Sequence, residues 1–198
     1  MSLWTSWLFQ MTTNSEVSPV PDMERLKALA LEAGFTHAAP LDAATIQLRD
    51  EVRAMCASNS CRAYGRNWSC PPACGEIDAL RSIIARYRTG LLVQSVGALE
   101  DEFDGEAMLE TEAAHKRRFS ALHERLTRDW PGLLALGAGT CTLCAKCTYP
   151  DAPCRFPEKR VSSMESYGIL VLEVCKANGL GYYYGPQFIA YTSCFLLE

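Results

Sequence analysis

The chain lacks the usual equipment for metal-free catalysis: no Ser-His-Asp set, no paired carboxylates and no glycine-rich phosphate motif can be found in it. Its loop glycines, Gly65 and Gly75 or Gly137 and Gly139, are too sparse for a nucleotide fingerprint. The three histidines, His37, His115 and His123, have no ligand spacing relative to one another or to the cysteines. A basic excess is also missing. Lys and Arg number 19 against 23 Asp and Glu, a formal charge of −4, which removes the electrostatic case for nucleic acid or an anionic membrane surface. Residues 1–10 are apolar but far too short to span a bilayer. They also lack the basic segment and small-residue cleavage site of an export signal, and Met11 and Met23 offer alternative starts. With no internal repeat and no linker, the 198 residues read as a disordered tail over 1–22 and one domain over 23–198.

What the chain does have is cysteine, ten in all. Clustered thiols without an export signal point to a reducing cytoplasm and to metal binding rather than disulfides. Eight of the ten fall into two constellations. The first is Cys56-x4-Cys61-x8-Cys70-x3-Cys74, and the second is Cys141-x2-Cys144-x2-Cys147-x6-Cys154. A Cys-x-x-Cys step lets a tight loop turn two sulfurs toward one point. A third cysteine at the same interval is the run used by ferredoxin-type clusters, and its two-cysteine subset is used by zinc. The gaps in the first set match no standard finger, and sharing of Cys154 between the sets is open. Prolines 71, 72, 150, 153 and 157 stiffen both loops, which lowers the cost of holding thiolates together. Cys175 and Cys194 lie in apolar stretches and read as core residues, as does His115 on an apolar helix face.

Hydrophobic periodicity places these loops on a scaffold. Asp22 is positioned to cap a helix through Leu26, Leu29 and Ala33 that stops at Gly34, and residues 35–41 read as a strand. Asp42 is expected to cap a second helix carrying Leu48, Val52, Met55 and Cys56. Cys74 is expected near the start of a helix holding Ile77, Leu80 and Ile84, where the dipole favours a thiolate. Residues 90–96 form an apolar run typical of a strand covered on both faces. A long helix through His115 and Phe119, a strand at 133–136, a largely helical 161–178 and a last strand at 188–197 complete the chain. The expected class is therefore α/β: a mostly parallel sheet, flanking helices, and cysteine-rich metal loops at strand ends.

The quoted residues also resemble a known family. Cys56-x4-Cys61-x2-Tyr64-Gly65-x4-Cys70-Pro71-Pro72 looks like its first motif. Cys141-x2-Cys144-x2-Cys147, Pro153-Cys154-Arg155-x-Pro157 and Ser163-Met164-Glu165-x2-Gly168-Ile169 look like its second. Together they resemble the prokaryotic proteins of domain of unknown function 2284, described as predicted metal-binding, from about residue 23 onward. The resemblance implies metal binding and no particular reaction. Cys74 lies outside the motif, so the resemblance implies three first-set ligands: Cys56, Cys61 and Cys70. The acidic residue usual after Gly-Ile is Leu170 here, so any role that carboxylate has in relatives is missing from this chain.

Three functions are expected to compete. The first is an iron–sulfur protein that moves electrons, alone or for a redox partner protein. It would hold a 4Fe–4S cluster on Cys141, Cys144, Cys147 and Cys154, with a second site at Cys56, Cys61 and Cys70 and Cys74 as a further candidate. The second is a zinc protein with four-cysteine coordination and a structural or interaction role. The third is a metalloenzyme whose three-cysteine site leaves a metal position open to a small molecule.

Overall fold

The computed structural model describes residues 21–198. The disordered tail expected over 1–22 falls outside them except for Pro21 and Asp22. Asp22 caps α1 (Met23–Glu32), its carboxylate accepting a hydrogen bond from the Arg25 amide at 3.1 Å. After β1 (His37–Asp42), Asp42 caps only a 3-10 turn over Ala43–Thr45. The second helix expected from Asp42 is shorter than anticipated. It is α2 (Asp50–Ala57), entered from Arg49, and Leu48 sits before it in an isolated bridge to Ile169. The chain continues through α3 (Ile77–Ile84), β2 (Thr89–Ala98), α4 (Gly105–Asp129), β3 (Leu134–Gly137), β4 (Ser162–Ser163), α5 (Val171–Ala177) and β5 (Phe188–Leu197).

The expectation of a mostly parallel sheet is wrong. One five-stranded sheet runs β1-β2-β5-β3-β4, and only the β3–β4 pair is parallel. The apolar run misleads for a physical reason: it reports that both faces are covered, which parallel sheets need but which an antiparallel sheet between helices needs equally. Successive residues of β2 divide between two cores. Leu91 and Val93 join Phe195, Leu197, Leu26 and Phe119 beneath α1 and α4. Leu92 joins Cys194, Leu196, Leu80, Val174 and Cys175 beneath α3 and α5. Cys175 and Cys194 are fully buried in that second core.

Residues 161–178 are not one broken helix. The chain makes β4, a 3-10 turn over Glu165–Tyr167, and then α5. Gly168 ends the turn at φ +89, where a Cβ would also lie 2.9 Å from the Arg49 carbonyl oxygen, so glycine is required there. The turn is locked from within by Ser163 and Ser166, whose hydroxyls lie 2.9 Å apart while each also bonds the other residue's amide.

His115 of α4 is fully buried between the strand hydroxyls of Ser95, 3.0 Å from Nδ1, and Ser193, 2.7 Å from Nε2. Burial, with Arg118 and Lys116 adding to it, pulls its pKa down from 6.5 to about 4. The unfolded chain therefore takes up the proton first. Stability is full above about 6.5 and falls as pH drops toward about 4, a loss of about 3 kcal/mol. Thermal melts across that window are expected to show the decline in the native chain and a flattened profile in His115→Gln. Parallel profiles would remove His115 as its source.

Candidate metal centre

The first cysteine set sits between two helices rather than at a strand end. α2 delivers Cys56 at its last turn, and the chain reverses through Asn59 and Arg62, both at positive φ. The Asn59 side chain accepts from the Tyr64 amide at 3.0 Å, and the Gly65 amide donates to the Pro71 carbonyl at 2.9 Å. Cys56, Cys61 and Cys70 thereby line one cavity of about 210 Å³, together with Tyr64, Thr140 and Glu165. Burial raises the Cys56 thiol first, and then the nearby Glu165 and Cys61. Burial likewise pushes Cys70 up to about 11, opposed by the Ser69 hydroxyl and reinforced by Cys61, Cys74 and Cys56.

Cys74 is placed differently. It lies before the Glu76 cap of α3, and its Sγ donates to the Ser166 carbonyl at 3.5 Å. Its pKa is raised by burial, against the pull of Arg53. Burial there works against the thiolate that the helix dipole favours.

The second set does come after a strand, leaving β3 through Ala138, Gly139 and Thr140. Cys141, Cys144, Cys147 and Cys154 line a single small hollow of about 20 Å³ and are all half-buried, so a bound group would sit near the surface. Burial raises the Cys141 thiol. A hydrogen bond from the Leu143 amide opposes the rise, and Cys154, Cys144 and Cys147 add to it. The loop is stitched by Thr148 Oγ1 donating to the Pro153 carbonyl at 2.8 Å and by Arg155 Nη1 donating to the Lys146 carbonyl at 3.0 Å.

The two loops meet. Asn67 Nδ2 donates to the Cys141 carbonyl at 3.2 Å, and the Cys141 amide donates to Ser69 Oγ at 3.2 Å. Asn67 Oδ1 in turn accepts from the Ser69 amide and hydroxyl, both at 3.0 Å. Trp68 Nε1 reaches the Ala152 carbonyl at 3.1 Å, its ring edge-on to Tyr149. Each loop also walls the other's hollow, Thr140 beside Cys56 and Asn67 beside Cys144. The cysteines nevertheless divide between two separate hollows.

Burial and neighbouring thiols favour the protonated form of Cys56, Cys70 and Cys141, and a bound cation would reverse that logic and release the protons. Among the described residues no three His, Cys, Asp or Glu side chains are gathered tightly enough to hold one ion. The donor set, thiols gathered in two hollows, is the kind that a soft metal takes.

Sequence reasoning did not single out Glu165, Asn67 and Ser69 as site residues. Their only signal was proximity in sequence to cysteines or to the Ser163-Met164-Glu165 motif, which does not say which way a side chain turns. No described helix is long and apolar enough to cross a membrane. Residues 39–197 match the family model described as predicted metal-binding protein, DUF2284. No curated protein and no solved structure matches the chain.

Proposed function

The chain belongs to the family of predicted metal-binding proteins defined by domain of unknown function 2284, and on that premise we propose that it is a cytoplasmic iron–sulfur protein serving electron transfer or a redox reaction. The observation that supports this most is the Cys141–Cys154 loop, in which four thiols share one hollow and the other three raise the proton affinity of Cys141. A 4Fe–4S cluster there would supply one-electron chemistry at a potential set by its surroundings. The chain's own contribution is position and charge. Cys141, Cys144, Cys147 and Cys154 hold the group, while Lys146, Arg155 and Arg160 offset the thiolate charge from the same loop. Asn67 and Ser69 fix the backbone of Cys141 on both sides.

Half-burial of the four thiols suits exchange with a partner protein, since electrons need a short path to the surface. Leu143 and Phe156 flank them and are 42% and 44% exposed, an apolar rim on which a redox partner protein would dock. Protein purified without oxygen is expected to be brown, with iron and acid-labile sulfide in near-equal amounts. Stoichiometric zinc without sulfide would overturn the proposal in favour of a zinc-binding structural module.

A further inference from the structure

The cavity of the first constellation holds three thiols and one carboxylate. We propose that Glu165, and not Cys74, is the fourth protein ligand of a second metal centre held by Cys56, Cys61 and Cys70. This rests on the reading that the first constellation binds metal.

Four observations carry it. Glu165 lines the same cavity as the three thiols, and Cys74 does not. Cys56 Sγ stands 3.9 Å from the Glu165 carbonyl oxygen, so the helix end and the turn are in contact. Among the described residues no cation pairs with the Glu165 carboxylate. Glu165 is exposed and is the one carboxylate among the residues lining the cavity. Cys74, by contrast, is committed to the Ser166 carbonyl.

The turn that presents Glu165 is built for a fixed position. Arg53 of α2 donates from Nη1 to the Ser166 carbonyl and from Nη2 to the Gly75 carbonyl, both at 3.0 Å. One guanidinium thus ties the helix bearing Cys56, the exit of the cysteine loop and the Glu165 turn together. The Arg49 amide adds a bond to the Gly168 carbonyl at 2.8 Å.

The volume, about 210 Å³, far exceeds the roughly 10–15 Å³ that one water needs. It suits a cluster with Glu165 on the iron that no cysteine reaches. A carboxylate binds a thiolate-rich iron less firmly than a fourth thiolate does. That corner is therefore the one open to exchange with a small molecule. Binding releases the thiol and carboxyl protons to solvent.

The test uses the full chain carrying Cys144→Ser, which removes the other loop's centre, reconstituted with ferrous iron and sulfide and read by metal and sulfide content. The parent is expected to keep one centre. Adding Glu165→Gln should weaken retention by about tenfold or more. Adding Cys74→Ser should leave it unchanged, and Glu165→Cys should hold metal at least as well as the parent. Circular dichroism confirms folding in each case. Full retention in Glu165→Gln, or loss in Cys74→Ser, overturns the assignment. A parent without metal fails the underlying reading instead, and the two failures are told apart by that first measurement.

Discussion

Cys144→Ser is expected to strip the Cys141–Cys154 loop of its metal, which is about half of the total when both constellations are loaded. The serine hydroxyl is a far weaker ligand for a soft metal than a thiolate, and three remaining thiolates cannot close the fourth corner. Asn67 and Ser69 keep the loop backbone in place, so the protein stays folded while the centre is lost. The matching control is Cys194→Ser. Cys194 is fully buried on β5, paired in register with Leu92, and lines neither hollow. That variant is expected to lose stability through a buried hydroxyl, on the order of 1–3 kcal/mol, and no metal. Iron, sulfide and zinc assays on the two proteins give the answer directly. Full metal retention in Cys144→Ser would refute the placement of the centre.

The largest effect on the scaffold is expected from Phe195→Ala. Phe195 lies on β5, hydrogen-bonded on one side to β2 and on the other to β3, and it is fully buried. Its ring stacks on Phe119 of α4 with centroids 4.6 Å apart and an interplanar angle of 14°. Truncation opens a cavity between helix and sheet and costs about 3–5 kcal/mol. At about 2–4 °C per kcal/mol for a chain of this size, the melting temperature falls by roughly 10 °C. A shift of less than about 2 °C in a circular dichroism melt would mean that the α4 face is not a packed core. Metal content below the transition is expected to stay at the native level, because neither Phe195 nor Phe119 lines either hollow.

Helix caps and long periodic segments are legible from the residues alone, as Asp22 with α1 and the Met108–Leu126 stripe of α4 show. So are the buried roles of Cys175 and Cys194, whose apolar neighbours in sequence are matched by an apolar core in space, and the burial of His115. Strand direction is not, because alternation and apolar runs encode which faces are covered and carry no sign of polarity. Asp42 misleads because an Asx cap serves a 3-10 turn as well as a helix, and only the residues after the first turn decide between them. In the site, cysteine spacing does not tell that Cys56, Cys61 and Cys70 share one hollow while Cys74, nearer α3 in the chain, turns onto the Ser166 carbonyl. Glu165 itself is invisible as a ligand candidate, since a single carboxylate about a hundred residues from Cys56 gains meaning only when α2 packs on its turn.

The sheet order has a consequence for how the thiols are exposed in time. β5 is the middle strand, yet it comes after both cysteine loops in the chain. A ribosome therefore delivers all eight clustered thiols before the strand that joins their supports. At about 5–20 residues per second, the roughly thirty residues between Cys154 and Phe188 take a few seconds. Through that interval β2 and β3 have no shared neighbour, and the Asn67–Cys141 seam has nothing to align it. The nascent cysteines are then open to wrong metals and to oxidation. The last strand closes that window by joining β2 to β3.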